Sequence, residues 1–310
     1  MADSRNDQGK PLSTNGPLWN RTLGLRILTA AVLIPLVVWA AYALSVRSFL
    51  IVWGAVVLAA AWEWGALAGI RNRIGRGVFV GLVLAAQILA WYWPELLNWL
   101  ADLTDWQGVL SLVLALDYIA FPTVAAWLVL GFFLRTWPDK LVGRPWPQGV
   151  QIFVAWFVLF TAWLMMARLR ANFGNASILY LLFLIWIADT SAYFIGKKWG
   201  RTPLVPAISP GKTMAGVYGA LVVCAVFAGV IGYMVELNAK LIVDFVMLSV
   251  IAVLVSICGD LLISLYKRWA GVKDSGKLLP GHGGLLDRID SLLASSVVLY
   301  AGFLGRRLFW

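Results

Sequence analysis

The chain has 310 residues, of which 61% are hydrophobic and only 13% charged, with a mean hydropathy of +0.83. A soluble domain carries about 25% charged residues, so a soluble enzyme, a disordered chain and a disulfide-stapled secreted domain are all excluded. The formal net charge of +10 falls on a chain with no soluble basic module long enough to hold a duplex, so it points to membrane topology and anionic headgroups and away from nucleic acid.

In chain order, residues 1–20 are polar and mixed in charge and read as a disordered cytoplasmic tail. The apolar run after them is too long for a signal peptide. All the apolar runs are continuous, not alternating, which excludes a β-barrel. At ~20 residues per crossing, the cores 27–46, 50–70, 78–93, 109–134, 150–167, 178–195, 215–235, 245–262 and 292–304 predict nine spans. The expected fold is all-α, a polytopic integral membrane protein with about nine transmembrane helices. Residues 21–176 form the N-terminal helices, and residues 177–310 form a catalytic region with two motif-bearing loops. Of the 25 Lys and Arg residues, all but Arg47, Arg168, Arg170, Lys240, Arg306 and Arg307 fall on the side of the N-terminus. The positive-inside rule then places the N-terminus and both long polar loops in the cytoplasm. Cys224 and Cys258 lie in apolar segments without metal-ligand spacing, and no disulfide is expected.

Acids are scarce, so their positions carry information. Asp117 falls inside the fourth predicted span, Asp189 near the cytoplasmic end of the sixth and Asp260 near that end of the eighth. An ionisable group at membrane depth costs roughly 2.5–3.5 kcal/mol on insertion scales and marks function by default. For Asp117, a helix-end charge reaching the headgroups is the favoured reading. The segment 259–290 holds the strongest pattern: the cations Lys267, Arg268, Lys273 and Arg288 beside the carboxylates Asp260, Asp274, Asp287 and Asp290. Asp287 and Asp290, three apart, share one face if helical. Pro280-Gly281-His282-Gly283-Gly284 is a turn whose glycines let backbone N–H groups approach an anion. Carboxylates, cations and a glycine turn are what a Mg²⁺–phosphate site requires. The other loop carries Asp189, then Ser209-Pro210-Gly211-Lys212-Thr213. Its Gly-Lys-Thr is not a phosphate loop of the nucleoside-triphosphatase kind, because Pro206 stands where the first glycine belongs. Lys212 and Thr213 are polyphosphate contacts or plain loop residues.

The stretch from Ser264 to Asp290 resembles the C-terminal signature of the phosphatidate cytidylyltransferases, the CDP-diacylglycerol synthases. Ser264, Lys267, Arg268, Lys273, Asp274, Pro280, His282, Gly283, Gly284, Asp287, Arg288 and Asp290 stand at matching spacing. Asp189, Ala192, Tyr193, Phe194 and Gly196, and then Ser209, Pro210, Lys212 and Thr213, are similar to the family's second loop. Trp62-Glu63-Trp64 is a weaker family-like element. The resemblance implies transfer of CMP from CTP to phosphatidate, giving CDP-diacylglycerol and pyrophosphate, at the cytoplasmic face of a bacterial inner membrane. It implies Mg²⁺, alone or with a second cation, on the carboxylates matching Asp260 and Asp287, and pairing as a homodimer. Two positions depart from relatives, which commonly carry an acid at Ile263 and an acid or amide at Ala215.

The lipid phosphate is itself an anionic nucleophile, so direct attack on the α-phosphorus of CTP is expected, with no Ser or Cys nucleophile to activate. Asp260 and Asp287 take the metal, and Asp290 supports them. Lys267, Arg268 and Arg288 take phosphate oxygens, while Asp189, Ser209, Lys212 and Thr213 form the opposite wall. His282, the only histidine, orients the glycine turn or acts as a general acid. Asp274 serves the site or pairs with Lys273 or Lys277. A transporter, which would bury acids near mid-membrane, and an inactive scaffold are the competing classes.

Overall fold

The computed structural model describes residues 31–279 and 283–309. The expected tail, 1–20, lies outside them. With no water to satisfy backbone groups in the bilayer core, apolar runs of this length must close their hydrogen bonds internally, and they do so as helices. A short first helix, α1 (Ala31–Ala43), precedes α2 (Val46–Leu67), whose N-cap Ser45 accepts from the Ser48 N–H at 3.2 Å. Asn72 caps α3 (Arg73–Trp91) in the same way at 2.9 Å. After α3 comes α4 (Trp93–Thr104), started by Pro94 and ended by Asp105 in the left-handed region.

The fourth predicted span is not one continuous helix. A 3₁₀ stretch (Gln107–Leu114) leads through the one-turn α5 (Ala115–Tyr118) into α6 (Ala120–Thr136). Asp117 sits in that junction, buried, paired with Arg168 Nε at 3.2 Å and accepting from the Tyr300 hydroxyl. Asp117 is therefore not a helix-end charge reaching the headgroups, as the sequence suggested, but a carboxylate buried between helices and held by Arg168 and Tyr300. After the short α7 (Pro138–Gly143) comes α8 (Gln148–Trp199), 52 residues long. A straight helix of that length would run about 78 Å, more than twice the ~30 Å hydrocarbon core. It turns sharply at Gly174, with φ 77° and ψ −174°, a combination essentially closed to residues with a Cβ. Ser177 Oγ reaches back across the turn to the Leu169 carbonyl at 3.2 Å, satisfying one of the orphan carbonyls of the first segment.

An antiparallel hairpin follows, β1 (Pro203–Val205) with β2 (Ser209–Thr213), where a plain loop was expected. Leu204, Val205 and Ile208 anchor it in a small apolar cluster with Leu134 of α6. Leu261 and Leu265 join that cluster from α10 (Ala239–Ala270), which lies beyond α9 (Met214–Met234) and ends at Gly271 in the left-handed region. The final described helix, α11 (Leu286–Phe309), is the most buried of the span-length helices and packs against α10, α8, α6 and α2.

Seven helices among the described residues are long and apolar enough to cross a membrane, which makes this an integral membrane protein of all-α architecture. The expected number of nine crossings is not established by that set. Gly259 lets α10 and α11 touch: a Cβ there would run into the Asp290 carbonyl and lie 3.1 Å from the Ala294 Cβ. That approach brings Asp260 beside Asp290.

Candidate active site

One cavity of about 460 Å³ gathers most of the polar chemistry read from the sequence. α8 contributes Asp189, β2 contributes Lys212 and Thr213, and α10 contributes Asp260 and Lys267. Asp274 comes from the following loop, and Asp287, Arg288 and Asp290 from the first turn and a half of α11. Asp189, Asp260 and Asp290 therefore converge from three different helices, near enough to interact electrostatically with one another and with Lys212. The same cavity has an apolar part to its wall, formed by Val217 and Ala220 of α9 and Val253 and Ile257 of α10.

Two ion pairs organise the cleft. Lys212 Nζ lies 2.5 Å from Asp260 Oδ2, and Ser264 Oγ donates to the other oxygen of the same carboxylate at 3.2 Å. Lys267 Nζ donates to Asp287 Oδ1 at 2.7 Å. Asp287 Oδ2 accepts from the Ser275 N–H at 2.7 Å, the Ser275 hydroxyl at 2.9 Å and the Gly284 N–H at 3.4 Å. Buried Asp290 accepts from the Ser291 N–H at 2.7 Å.

Ser209, Ser264, Arg268, Lys273, Gly283 and Gly284 do not line the cavity. Successive helix residues point about 100° apart, and here Lys267 faces the cavity while Arg268 does not. Arg268 instead donates through Nε to the Ile208 carbonyl at 3.0 Å, bracing the turn of the hairpin. Ser209 pairs with Val205 at the far end of β2, while Thr213 caps α9 by accepting from the Gly216 N–H at 3.2 Å. Lys273 is exposed. Gly283 has φ 83° and bridges to Leu279; His282 lies outside the described residues. Ile263 is buried in the main core rather than facing Asp260.

The sequence reading passed over Glu63 as a site residue. Its buried carboxylate accepts through Oε2 from the Ser275 hydroxyl at 3.1 Å and from the Leu286 N–H at 2.9 Å. It is the sole acid of α2, and an acid in an apolar helix was the available signal.

The donor set fits a divalent cation. Five carboxylates line the cleft against three cationic side chains, an excess of negative charge that would repel a polyphosphate unless further cations entered. Among the described residues no three metal-ligating side chains surround one point. That suits Mg²⁺, which commonly takes one or two carboxylates and completes its shell with phosphate oxygens and water.

An acidic, lysine-bearing cleft gathered from several membrane-spanning helices has the chemistry to handle metal-bound phosphate groups. The model of the cytidylyltransferase family matches residues 24–304. A protein of Pseudomonas aeruginosa named phosphatidate cytidylyltransferase is 35% identical over 276 residues, covering 89% of this chain and 95% of its own. One of Haemophilus influenzae with the same name is 34% identical over 282 residues, covering 87% and 94%. A third, of Brucella abortus, is 33% identical over 286 residues, covering 90% and 92%. This chain belongs to the cytidylyltransferase family.

Proposed function

We propose that this chain is a CTP:phosphatidate cytidylyltransferase, a nucleotidyltransferase of phospholipid biosynthesis. A phosphate oxygen of phosphatidate attacks the α-phosphorus of CTP. The bond to the bridging oxygen of the β-phosphate breaks, and CDP-diacylglycerol and pyrophosphate result. The observation that carries this reading is the joining, in one cleft, of polyphosphate-type cations and carboxylates with an apolar wall that a diacyl lipid can border.

Each part of the cleft has a role in that reaction. Asp260 and Asp287 would hold Mg²⁺, which supplies charge neutralisation on the triphosphate and on departing pyrophosphate. Lys212 and Lys267 neutralise these same carboxylates, and each ammonium is placed to pass to a phosphate oxygen when substrate enters. Arg288 serves the phosphates from α11. Asp189 and Thr213 form the facing wall, and Asp290, near Asp260, adds a further carboxylate whose repulsion of its neighbours a bound cation would relieve. Arg268 acts through the hairpin it braces, setting where Lys212 stands. Opening of the cleft to the cytoplasm, residence in a bacterial inner membrane and homodimer formation belong to the same proposal. They rest on the distribution of basic residues and on the family resemblance.

The test is pyrophosphate release by purified protein given CTP, phosphatidate and Mg²⁺. Diacylglycerol, which has the same acyl groups but no phosphate, replaces phosphatidate in the control. Release that needs phosphatidate supports the reading; equal release with diacylglycerol, or none with either, overturns it.

A further inference from the structure

We propose that Glu63, on α2 and far from the signature segment, is a positioning residue for the reaction: it fixes the carboxylate of Asp287 by clamping the loop between α10 and α11. The inference rests on the role given to Asp287 above. Three observations carry it. First, Glu63 Oε2 holds both ends of that loop, taking the Ser275 hydroxyl at 3.1 Å and the Leu286 N–H at 2.9 Å. Ser275 in turn donates to Asp287 Oδ2 through N–H and hydroxyl, and Leu286 is the residue immediately before Asp287. Glu63 is thus one hydrogen-bonded residue removed from Asp287 on one side and one peptide removed on the other.

Second, the loop is built around this carboxylate. A Cβ at Gly276 would strike Glu63 Oε1, and one at Gly284 would lie 2.6 Å from Glu63 Oε2 while also striking the Ser275 hydroxyl. Third, Glu63 is held rigidly. Its neighbour Trp64, fully buried, packs edge-on against Tyr266 with ring centroids 5.5 Å apart, and Tyr266 adjoins Lys267, the ion-pair partner of Asp287. The Tyr266 hydroxyl is tied to the Gln151 carbonyl at 2.8 Å. Among the described residues, Glu63 Oε1 is buried with no hydrogen-bond partner.

The Leu286 N–H is one of the orphan donors at the start of α11, so Glu63 also caps that helix from another element and lends negative charge to its N-terminus. Replacing Glu63 with Ala removes both anchors. A reacting group displaced by about 1 Å costs on the order of 10²-fold, so kcat is expected to fall by about that factor with the KM for CTP changed far less. Glu63→Gln keeps an oxygen that accepts both bonds and is expected to stay within about threefold of wild type. Ser275→Ala is expected to lower kcat as well, and combined with Glu63→Ala to add little to it, because both act on one carboxylate.

The experiment measures kcat and KM for wild type and the four variants in lipid–detergent micelles, together with amide hydrogen exchange at 275 and 286. Faster exchange at both amides in Glu63→Ala, a fall in kcat and rescue by Gln support the proposal. Unchanged exchange, or a Gln variant as impaired as Ala, overturns it. If Glu63→Ala does not fold, the Gln and Ser275→Ala proteins carry the test: support is a Gln variant near wild type together with a kcat loss in Ser275→Ala. If wild type releases no pyrophosphate, the functional reading fails, while the exchange data still report whether Glu63 clamps the loop.

Discussion

Asp287→Asn separates the chemistry of the cleft from its architecture. The wild-type carboxylate accepts from the Lys267 ammonium on one oxygen and from Ser275 and Gly284 on the other. An asparagine has one acceptor oxygen and one amide nitrogen, which is donor-only. Turned either way, its NH₂ faces the ammonium or the Ser275 N–H, donor against donor. Removing one partner of a fully buried pair costs about 3–5 kcal/mol, and the partial solvation of Lys267 returns part of that, leaving about 2–3 kcal/mol. Catalysis should suffer more. Loss of a group that organises charge at the transferring phosphate is expected to cost at least about 10³-fold, or roughly 4 kcal/mol on the barrier. The assay is incorporation of labelled CTP into lipid by protein recovered from membranes, alongside a thermal melt. The variant should insert, melt at a lower temperature and fail to turn over. Turnover within tenfold of wild type, with normal insertion, would refute the assignment of Asp287 to the reacting centre.

Other expectations follow from single contacts. Lys267→Met should raise the phosphatidate or CTP requirement, whereas Arg268→Met should lower kcat and the melting temperature together through the hairpin; identical kinetic signatures would remove the distinction drawn between them. Gly259→Ala must push α10 from α11 at the Asp290 carbonyl; such overpacking costs about 1–3 kcal/mol, and a melt equal to wild type with full activity would contradict that contact. Gly174→Ala places a Cβ in a backbone region nearly reserved for glycine and should destabilise by about 1–3 kcal/mol, seen as a lowered melt with CTP affinity in the folded fraction unchanged.

Much of the cleft was legible because its residues sit in two short segments of chain. Asp260, Lys267, Asp287, Arg288 and Asp290 lie within one stretch, and helical spacing already put Asp287 and Asp290 on a shared face. The predicted cores 150–167 and 178–195 match the two segments of α8, since the polar residues between them interrupt the apolar pattern around Gly174. What escaped was tertiary or angular. Glu63 meets Ser275 across 212 positions, a separation no local pattern records. Arg268 read like Lys267 because adjacency in sequence hides the rotation between successive helix positions. The hairpin around Ser209 was missed because its strands of three and five residues are too short to show alternation. Asp117 stands where its predicted span is broken, and its partners there, Arg168 and Tyr300, lie too far along the chain for any local pattern to record.

The placement of α11 has a consequence for biogenesis. It is the least apolar of the seven span-length helices, it occupies the middle of the bundle, and it carries both Asp287 and Asp290. During synthesis it follows the other described helices out of the ribosome, and it is the one least suited to wait in lipid unaccompanied, with Ser291, Ser295 and Ser296 all buried against its neighbours. A chain that stops short of α11 lacks Asp287, Arg288 and Asp290, three of the eight charged side chains that line the cleft, so the last helix to be made is the one that completes the reacting centre.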